Sequence, residues 1–295
     1  MRTMFAANLS PQQSAKLLHN FTPLVEGGFL RAFTPAWFAR VPLGVNRRFD
    51  EALSIVNTLA YEVIDAYRRD GVDHGDLLSM MLAARDEHGD ALTDTEIRDQ
   101  ILTFWGAGTV TSATLLAWSL HLLAQHPEDA RLLQTEVDAV LGGRTAGHDD
   151  LACLDYTTRV LTETLRLYPP VWLLIRVLTT ETTLAGRTLP ADTILLCSPY
   201  LIQRQSELYP DPERFDPDRW LPGRTTTSVR GAFVPFGGGA HKCIGDNFAM
   251  LEATLALATI TARWKLDPLP GPSTQPRPRA TLRPHPLRMR LRHRL

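Results

Sequence analysis

A glycine-rich segment that contains a cysteine has the residue types needed to bind a metal through a thiolate. Residues 236–245 read FGGGAHKCIG, and a helical pattern begins where this segment ends. The free N–H groups and the dipole of a helix start favour negative charge, which would stabilise a thiolate at Cys243. Gly237 and Gly239 let the backbone turn tightly against a large planar ligand. Backbone amides can then donate hydrogen bonds to the sulfur, and Phe236 can pack beside it and keep water away.

Two other interpretations of this segment stay open from the residues alone. A lone cysteine at a glycine-rich helix start is more often a buried free thiol than a metal ligand. A phosphate-binding loop is also rich in glycine, but the strand–loop–helix context and the terminal Gly-Lys-Ser/Thr are absent from residues 236–245.

Glu163 and Arg166 form a second candidate pair, because residues three apart are neighbours on one face of a helix. Most such pairs are exposed and contribute less than about 1 kcal/mol to stability. This pair stands among Leu161, Leu165 and Leu167, a pattern that indicates burial. A buried carboxylate and guanidinium would support the fold instead of reacting.

Glycine and hydroxyl residues interrupt a long apolar segment at residues 107–112, which read AGTVTS. Such residues can disturb the hydrogen bonds of a helix and open a local kink or groove. Trp105 lies on the same helix, where it either lines a cavity or belongs to the core.

The elements that must position these residues are mostly helices. Thr93 and Glu96 form a capping box, and the helix that they start extends to about Gln125. This helix is apolar on nearly every side, which is typical of a buried helix. The other expected helices cover Pro11 to about Leu30, Phe49 to Tyr67, Leu77 to Ala84, Pro127 to Leu141, Tyr156 to Leu167 (capped by Asp155) and Ile244 to Ala262.

Short strands and a long coil follow the helices. Residues 171–177, 182–184 and 193–197 read as strands, and residues 281–291 read as a short hairpin. Residues 208–235 are rich in proline, aspartate and arginine, and so long a coil is usually functional or packed by its own side chains. We therefore predict a mainly α fold with small β-sheets (α+β) in a single domain.

Composition narrows the class of protein further. The net charge of −1 over 295 residues indicates neither nucleic acid nor an anionic membrane as partner. Cys153, Cys197 and Cys243 are far apart, which argues against a disulfide scaffold and favours a reducing compartment, with the first two as core thiols. Neither an apolar run long enough to span a membrane nor a signal-peptide pattern is visible, so we expect a cytoplasmic protein. The scarcity of lysine is typical of GC-rich bacterial genes.

Taken together, these segments resemble the cytochrome P450 family of haem-thiolate monooxygenases. Residues 236–245 fit the family's haem-binding pattern, F-x-x-G-x-[RH]-x-C-x-G, at every fixed position. The resemblance implies that Cys243 ligates the iron of haem b and that His241 takes the place of a cation that binds a propionate. It also implies haem-binding roles for the other matched residues of the loop, which are Phe236, Gly237, Gly239 and Gly245.

The resemblance also implies a third residue that binds to the Glu163–Arg166 pair. Glu163 and Arg166 match the family's E-x-x-R, and the third member is an arginine of the P-E-R-F element. Residues 212–215 spell PERF literally, while residues 217–220 read PDRW at the place where the family has this element. We choose Arg219 and expect it to bridge Glu163 bidentately in a structural role.

The family pattern assigns further residues around the haem. Arg176 matches a strand arginine that pairs with a haem propionate, although a solvent-exposed arginine is the alternative. Residues 107–112 are similar to [AG]-G-x-[DE]-T-[TS], which places Ala107 and Gly108 where O2 binds. Thr111, with Ser112, would orient the water that delivers protons.

Val110 departs from this pattern because the family has a carboxylate there. The resemblance therefore predicts a slower or less coupled enzyme. Trp105 and residues 171–174 match the substrate pocket, and the second set (Val171, Trp172, Leu173 and Leu174) suggests an apolar substrate.

The expected activity is insertion of one oxygen atom from O2 into an apolar small molecule. Residues 241–268 resemble bacterial terpene-oxidising members, which points to secondary metabolism. Electrons would come from a separate ferredoxin or flavoprotein reductase that docks near Lys242. The family's N-terminal helices, its first strands and its W-x-x-x-R element are not represented, so we expect a partial P450 domain over 1–295. Its parts would be distal helices (1–92), the long central helix (93–125), the E-x-x-R helix (155–167), and the coil, haem loop and final helix (208–262).

Two alternatives to this activity stay open. Val110 and the missing elements favour a haem-binding remnant that is catalytically impaired or inactive. A helical interaction domain with an accidental cysteine loop is the other, although it does not explain why four family motifs occur together.

Overall fold

The computed structural model describes residues 10–224 and 231–294. Helices dominate it, and the strands that it describes form four two-stranded antiparallel sheets. This confirms the mainly α fold with small sheets that the sequence predicts. The expectation of no signal peptide falls largely on residues 1–9, and residues 225–230 belong to the predicted coil; both stretches lie outside the described residues. The chain divides into two compact units, residues 1–109 and 110–295.

The helices have the following bounds. They are α1 (Pro11–Ala32), α2 (Gly44–Asp70), α3 (Leu77–Ala83), α4 (Asp94–Gln125), α5 (Pro127–Leu141), α6 (Asp155–Leu167), α7 (Pro199–Ile202) and α8 (Asp246–Arg263). Short 3-10 helices lie at Ala36–Arg40, His148–Cys153, Pro217–Trp220 and Gly239–His241.

The strands pair close to one another in sequence. They are β1 (Leu174–Val177), β2 (Thr182–Leu184), β3 (Arg187–Leu189), β4 (Ile194–Cys197), β5 (Trp264–Pro268), β6 (Gln275–Pro278), β7 (Leu282–His285) and β8 (Met289–His293). The pairs are β1 with β4, β2 with β3, β5 with β8 and β6 with β7. A two-stranded sheet is marginally stable alone, so each depends on the helices or loops that it contacts.

The first unit is built on the close packing of α1 against α2. Gly27 permits this contact, because a Cβ at that position would lie 2.6 Å from Cδ2 of Phe49. Trp105 of α4 packs in the same region against Leu17 and Val56, and its ring meets Phe21 edge-on with 4.8 Å between centroids. Trp105 is therefore a core residue of this unit.

The second unit has its core where α5, α6 and α8 meet. Leu133 and Val137 of α5, Val160 and Leu161 of α6 and Leu257 of α8 are all completely buried there. Burial of one such side chain contributes about 1.5–3 kcal/mol, so this cluster dominates the stability of the unit. Helix α6, which carries Glu163 and Arg166, is consequently one of the best-fixed elements of the chain.

Trp118 connects α4 to two other parts of the second unit. Its indole Nε1 donates to the carbonyl of Leu282 at 2.7 Å, and its ring stacks on Tyr168 with 3.7 Å between centroids. The amide of Leu282 in turn donates to the carbonyl of Pro170 at 3.0 Å. The end of α6 and the start of β7 are thus held together on one side of α4.

Helix α4 starts as predicted and is less buried than predicted. The capping box is confirmed, because the Thr93 amide donates to Glu96 Oε2 at 2.8 Å and the Glu96 amide to Thr93 Oγ1 at 3.3 Å. By length and composition α4 is apolar enough to cross a membrane, and 44% of its most apolar window is buried. A core helix of a protein outside membranes passes the same test, so this is weak evidence of a membrane span.

The N-terminus of α6 differs from the prediction. Asp155 is the first helical residue and not the cap, and its side chain binds Arg159. Glu136 of α5 caps the helix instead, since its carboxylate accepts hydrogen bonds from the amides of Tyr156 and Thr157 at 2.6 and 2.9 Å. A cap supplied by another helix leaves no local sequence signal.

Several other expectations need correction. The last helix begins at Asp246, and the first strand is confined to residues 174–177. The predicted hairpin of residues 281–291 does not form, because β7 pairs with β6 and β8 with β5. Cys153 and Cys197 are exposed and not core thiols. Cys153 ends a 3-10 helix, and Cys197 ends a strand of a two-stranded sheet, so neither side chain reaches the α5–α6–α8 core.

Candidate functional site

The loop that carries Cys243 is held by its own backbone. Gly237 and Gly239 have φ angles of 72° and 65°, in the left-handed region where a side chain would be strained. The Cys243 amide donates to the carbonyl of Phe236 at 2.9 Å and closes the loop. Phe236 packs against the core of the second unit, so the loop is fixed at its first residue.

The thiol of Cys243 is free, exposed and close to the start of α8. Helix α8 has Gly245 as its N-cap, and a Cβ at Gly245 would lie 4.0 Å from the sulfur. The sulfur therefore lies beside the positive end of a helix dipole, which stabilises a thiolate. Lys242 pairs with Asp246 in the first turn, and this hydrogen bond lowers the pKa of the Asp246 carboxyl.

Strand β1 passes next to the cysteine loop. The side chain of Leu174 lies 4.0 Å from the place where a Cβ at Gly237 would be. Side chains two apart on a strand share a face, so Arg176 points to the same side as Leu174. Arg176 is exposed, and its guanidinium donates to the carbonyl of Ile175 at 2.8 Å. Within the described residues it has no carboxylate partner.

The remaining residues predicted for the pocket join α6 to β1. Val171, Trp172 and Leu173 are partly or largely exposed. The indole of Trp172 donates to the carbonyl of Arg279 at 2.9 Å, and its own carbonyl accepts from Ser198 at 2.7 Å. This segment is thus tied to the chain on either side of it and has apolar surface left uncovered.

Glu163 is the centre of a buried network that fixes the coil before the cysteine loop. Arg166 binds it bidentately at 2.9 and 2.8 Å, and both side chains are completely buried. Arg219 donates to Glu163 Oε1 through its Nε at 3.4 Å. The predicted partner is therefore present, but the bidentate geometry belongs to Arg166. The Nη1 and Nη2 atoms of Arg219 donate to the carbonyls of Pro210 and Asp211, so they are directed to the backbone and not to the second carboxylate oxygen of Glu163.

Both candidate arginine motifs take part in this network. Arg166 donates to the carbonyls of Pro212 and Arg214, which belong to the literal PERF segment, at 2.7 and 3.0 Å. The literal segment supplies backbone acceptors, while the second segment supplies the side chain of Arg219. Burial raises the pKa of neighbouring Tyr209 to about 12, against the opposing effect of the nearby Arg166 charge.

Sequence reasoning missed three residues of the network. The indole of Trp220 donates to Glu163 Oε2 at 2.9 Å, and the amide of Asp216 donates to Oε1 at 3.1 Å. Gln203, which is completely buried, bonds to the end of α6 and to the segment before the cysteine loop. The position of Trp220 directly after Arg219, in the PDRW segment, could have indicated its role. No sequence pattern marks Gln203.

The hydroxyl residues predicted for oxygen chemistry all lie on α4, which runs unbroken from Asp94 to Gln125. Ala107 and Gly108 belong to the first unit, and Thr111 and Ser112 to the second. Val110 is 8% exposed. The glycine and hydroxyl residues therefore do not end or divide the helix.

The donor chemistry of the second unit fits a haem. In residues 10–224 and 231–294 no group of three or more His, Cys, Asp and Glu side chains is placed to hold a metal. A single thiolate suits a metal whose other ligands come from a macrocycle. His241 in the loop and Arg176 on β1 are exposed hydrogen-bond donors, and they suit the propionates of such a ligand. The loop glycines present no side chain toward it.

Comparisons with known proteins agree with this assignment. The family model "Cytochrome P450" matches residues 2–291. Cyclooctatin synthase of Streptomyces melanosporofaciens is 46% identical over 98% of the chain and 63% of the relative. Pentalenene oxygenase of Streptomyces avermitilis is 44% identical over 99% of the chain and 65% of the relative. The chain therefore spans less than two thirds of the length of these relatives.

Solved structures show the same fold. A cyanobacterial P450 with bound retinoic acid superposes with a TM-score of 0.88 and 28% identity, over 99% of this chain and 66% of that one. The haem domain of cytochrome P450DA superposes with a TM-score of 0.83 and 29% identity, over 95% and 61% of the two chains.

Proposed function

The chain belongs to the cytochrome P450 family, and from that premise we propose that it is a haem-thiolate monooxygenase. It inserts one oxygen atom from O2 into an apolar small molecule, with electrons from a separate protein. The observation that carries the proposal is the loop of residues 236–245. It presents a free, exposed thiol close to the start of α8, two residues after the exposed His241.

The haem would be held by the cysteine loop and by strand β1. Cys243 would ligate the iron, Arg176 and His241 would bind the propionates, and Phe236, Gly237, Gly239 and Gly245 would form the surface beside the ring. When bound, the haem supplies the iron chemistry that binds and cleaves O2. The start of α8 at Gly245 gives the Cys243 sulfur an environment that favours negative charge, which suits a thiolate ligand.

Helix α4 supplies protons and the oxygen-side surface. Ala107 and Gly108 leave room for O2, and the hydroxyl groups of Thr111 and Ser112 hold the water that delivers protons. General acid–base groups usually contribute a factor of about 10²–10⁴ in rate. Because Val110 cannot ionise, the hydroxyl groups carry this delivery with water or substrate alone.

A terpenoid is the substrate class that the observations favour. Val171, Trp172, Leu173 and Leu174 supply apolar surface at the start of β1, whereas Trp105, the other residue predicted for the pocket, is buried in the core of the first unit. The names of two relatives described above, cyclooctatin synthase and pentalenene oxygenase, support this substrate class. Hydrophobic contacts select a substrate of this kind by shape and size and not by hydrogen bonds.

Electrons come from a ferredoxin or flavoprotein reductase that docks near Lys242, and the protein acts in the cytoplasm. Lys242 is more than half exposed beside its partner Asp246, so it is accessible to a partner protein. The bacterial relatives support this setting.

A haem-binding protein without turnover is the second candidate, and Val110 is the observation that favours it. The two candidates differ in product. We would supply the haem-loaded chain with a surrogate ferredoxin system, a panel of terpene hydrocarbons and isotopically labelled O2, and analyse extracts by mass spectrometry. A product that carries one labelled oxygen, absent with Cys243→Ser, supports the monooxygenase. Stable haem without labelled product would favour the second candidate.

A further inference from the structure

The side chain of Gln203 connects separate parts of the second unit. Gln203 follows α7 and is completely buried. Its Nε2 donates to the carbonyls of Leu165 and Arg166 at 3.1 and 3.0 Å, and its Oε1 accepts from the amide of Val234 at 3.0 Å. One amide group thus joins the C-terminus of α6 to the segment that precedes the cysteine loop.

From Val234 the hydrogen bonds continue into the loop itself. The carbonyl of Val234 accepts from the amide of Gly237 at 3.1 Å. The carbonyl of Phe236 then accepts from the amide of Cys243 at 2.9 Å. A continuous hydrogen-bonded stretch of backbone therefore leads from Gln203 to the residue that carries the thiol.

Gln203 is also attached to the buried charge pair. Its own carbonyl accepts from Nη1 of Arg166 at 2.9 Å, and Arg166 binds Glu163 bidentately. Displacement of Gln203 would affect the loop through its side chain and the pair through its backbone. No other side chain in the described ranges bonds to both the end of α6 and Val234.

We infer that Gln203 is a positioning residue that fixes the Cys243 loop to the C-terminus of α6. The inference rests on the proposed function, since it concerns the thiolate of that site. The role requires a primary amide. The last carbonyls of a helix have no partner within it, and two donors are needed to satisfy Leu165 and Arg166, while a third contact requires an acceptor for Val234. Methionine offers neither, and a carboxylate offers no donor.

The first experiment measures amide hydrogen exchange in the full chain. Gln203→Met should accelerate exchange across residues 233–243 by about tenfold, because the Val234 amide loses its acceptor and the loop opens more often. The matched control is Glu136→Leu, which removes the cap at the opposite end of α6 and leaves Val234 untouched. Gln203→Asn keeps the amide on a side chain that is one methylene too short to make all three contacts. It should show the same faster exchange, and it replaces Gln203→Met as the test if the methionine variant does not fold.

The second readout is the absorption of the ferrous–CO form after loading with haem. At equal haem content, Gln203→Met should reduce the fraction with the red-shifted thiolate band by at least half, while Glu136→Leu retains it. Gln203→His, which keeps only one donor and one acceptor, should give a fraction of the thiolate band between those of Gln203→Met and the wild type. Unchanged exchange at 233–243 in Gln203→Met and Gln203→Asn would overturn the inference, as would an equal effect of Glu136→Leu. A wild-type chain without the thiolate band would contradict the proposed function alone, because the exchange result is independent of haem.

Discussion

Val110 lies at the point of α4 where the family pattern has a carboxylate, directly before Thr111. Its side chain is 8% exposed, so it packs against other protein atoms and bulk water does not reach it. In the proposed monooxygenase, proton delivery would then rely on hydroxyl groups, which are poor acid–base catalysts near neutral pH. We therefore expect the proposed enzyme to lose part of the supplied electrons to reduced oxygen species and to form less product per electron.

Val110→Glu should therefore raise the fraction of consumed electrons that appears in product, by about twofold or more, because a carboxyl group restores an ionisable proton carrier. The measurement is product formed per reductant consumed. Val110→Gln is the control, since it has the same length and polarity without ionisation. Equal coupling in the two variants, or lower coupling with glutamate, would contradict the proton-relay explanation.

Trp220 is one of the three residues of the buried network that sequence reasoning did not find. Its indole gives Glu163 a neutral donor beside the two guanidinium groups. Hydrogen bonds to charged groups contribute about 1.5–3 kcal/mol. Trp220→Phe should lower the free energy of unfolding by about that amount, as measured by urea titration of the full chain.

The control for this change is Trp37→Phe, because Trp37 is 63% exposed and substitution there should be nearly neutral. If both variants unfold at the same urea concentration as the wild type, the indole of Trp220 contributes nothing to the network.

At the scale of elements, the turn between α5 and α6 depends on one carboxylate. Asp150 accepts hydrogen bonds from Arg144 and from the amide of Gly147 at 2.8 Å. These bonds, with that of Arg144 the largest, lower the pKa of Asp150 to about 2. A carboxyl whose pKa is depressed in the folded state contributes stability above its unfolded pKa, and this stability is lost as the pH falls through the folded value.

Asp150→Asn should therefore destabilise the chain near neutral pH, and the difference from wild type should shrink as the pH falls from about 4 to about 2. Thermal unfolding across this pH range provides the measurement. Asp149→Asn is the matched control on the same 3-10 helix, because Asp149 is fully exposed. A difference between Asp150→Asn and wild type that persists unchanged down to pH 2 would show that charge is not the cause.

The elements that sequence predicts well are those with strong local signals. The capping box of Thr93 and Glu96 starts α4, and Gly142 with a φ of 55° ends α5 after Pro127 opens it. The glycines and cysteine of residues 236–245 carry their pattern in one continuous segment. The prolines after Leu167 marked the end of α6, and the leucines around Glu163 and Arg166 correctly indicated that this pair is buried.

The features that sequence could not predict depend on contacts distant along the chain. Glu136 caps α6 from another helix, and Gln203 satisfies the end of that helix from a coil. The choice of Arg219 over Arg214 came from family spacing, but the chain uses the backbone of one segment and the side chain of the other. Strand pairing at the C-terminus likewise followed from packing and not from turn signals.

At the scale of the whole molecule, the fold is that of the P450 family, while substrate choice is a matter of the site. Solved P450 structures superpose with TM-scores of 0.83 and 0.88 at identities below 30%. A fold shared at that distance supports many substrates, so the terpenoid proposal depends on the pocket residues and on product analysis. The feature common to all the proposed chemistry is thiolate ligation by Cys243.

The most direct test of that feature is the absorption spectrum of the ferrous–CO form of the chain expressed with a haem supply. We predict the strongly red-shifted Soret band of a thiolate-ligated haem, and its loss in Cys243→Ser. Cys153→Ser and Cys197→Ser, which replace the other exposed thiols, should leave the band unchanged. Absence of haem, a band typical of a neutral ligand, or a red-shifted band that survives in Cys243→Ser would contradict the assignment of Cys243 as the iron ligand.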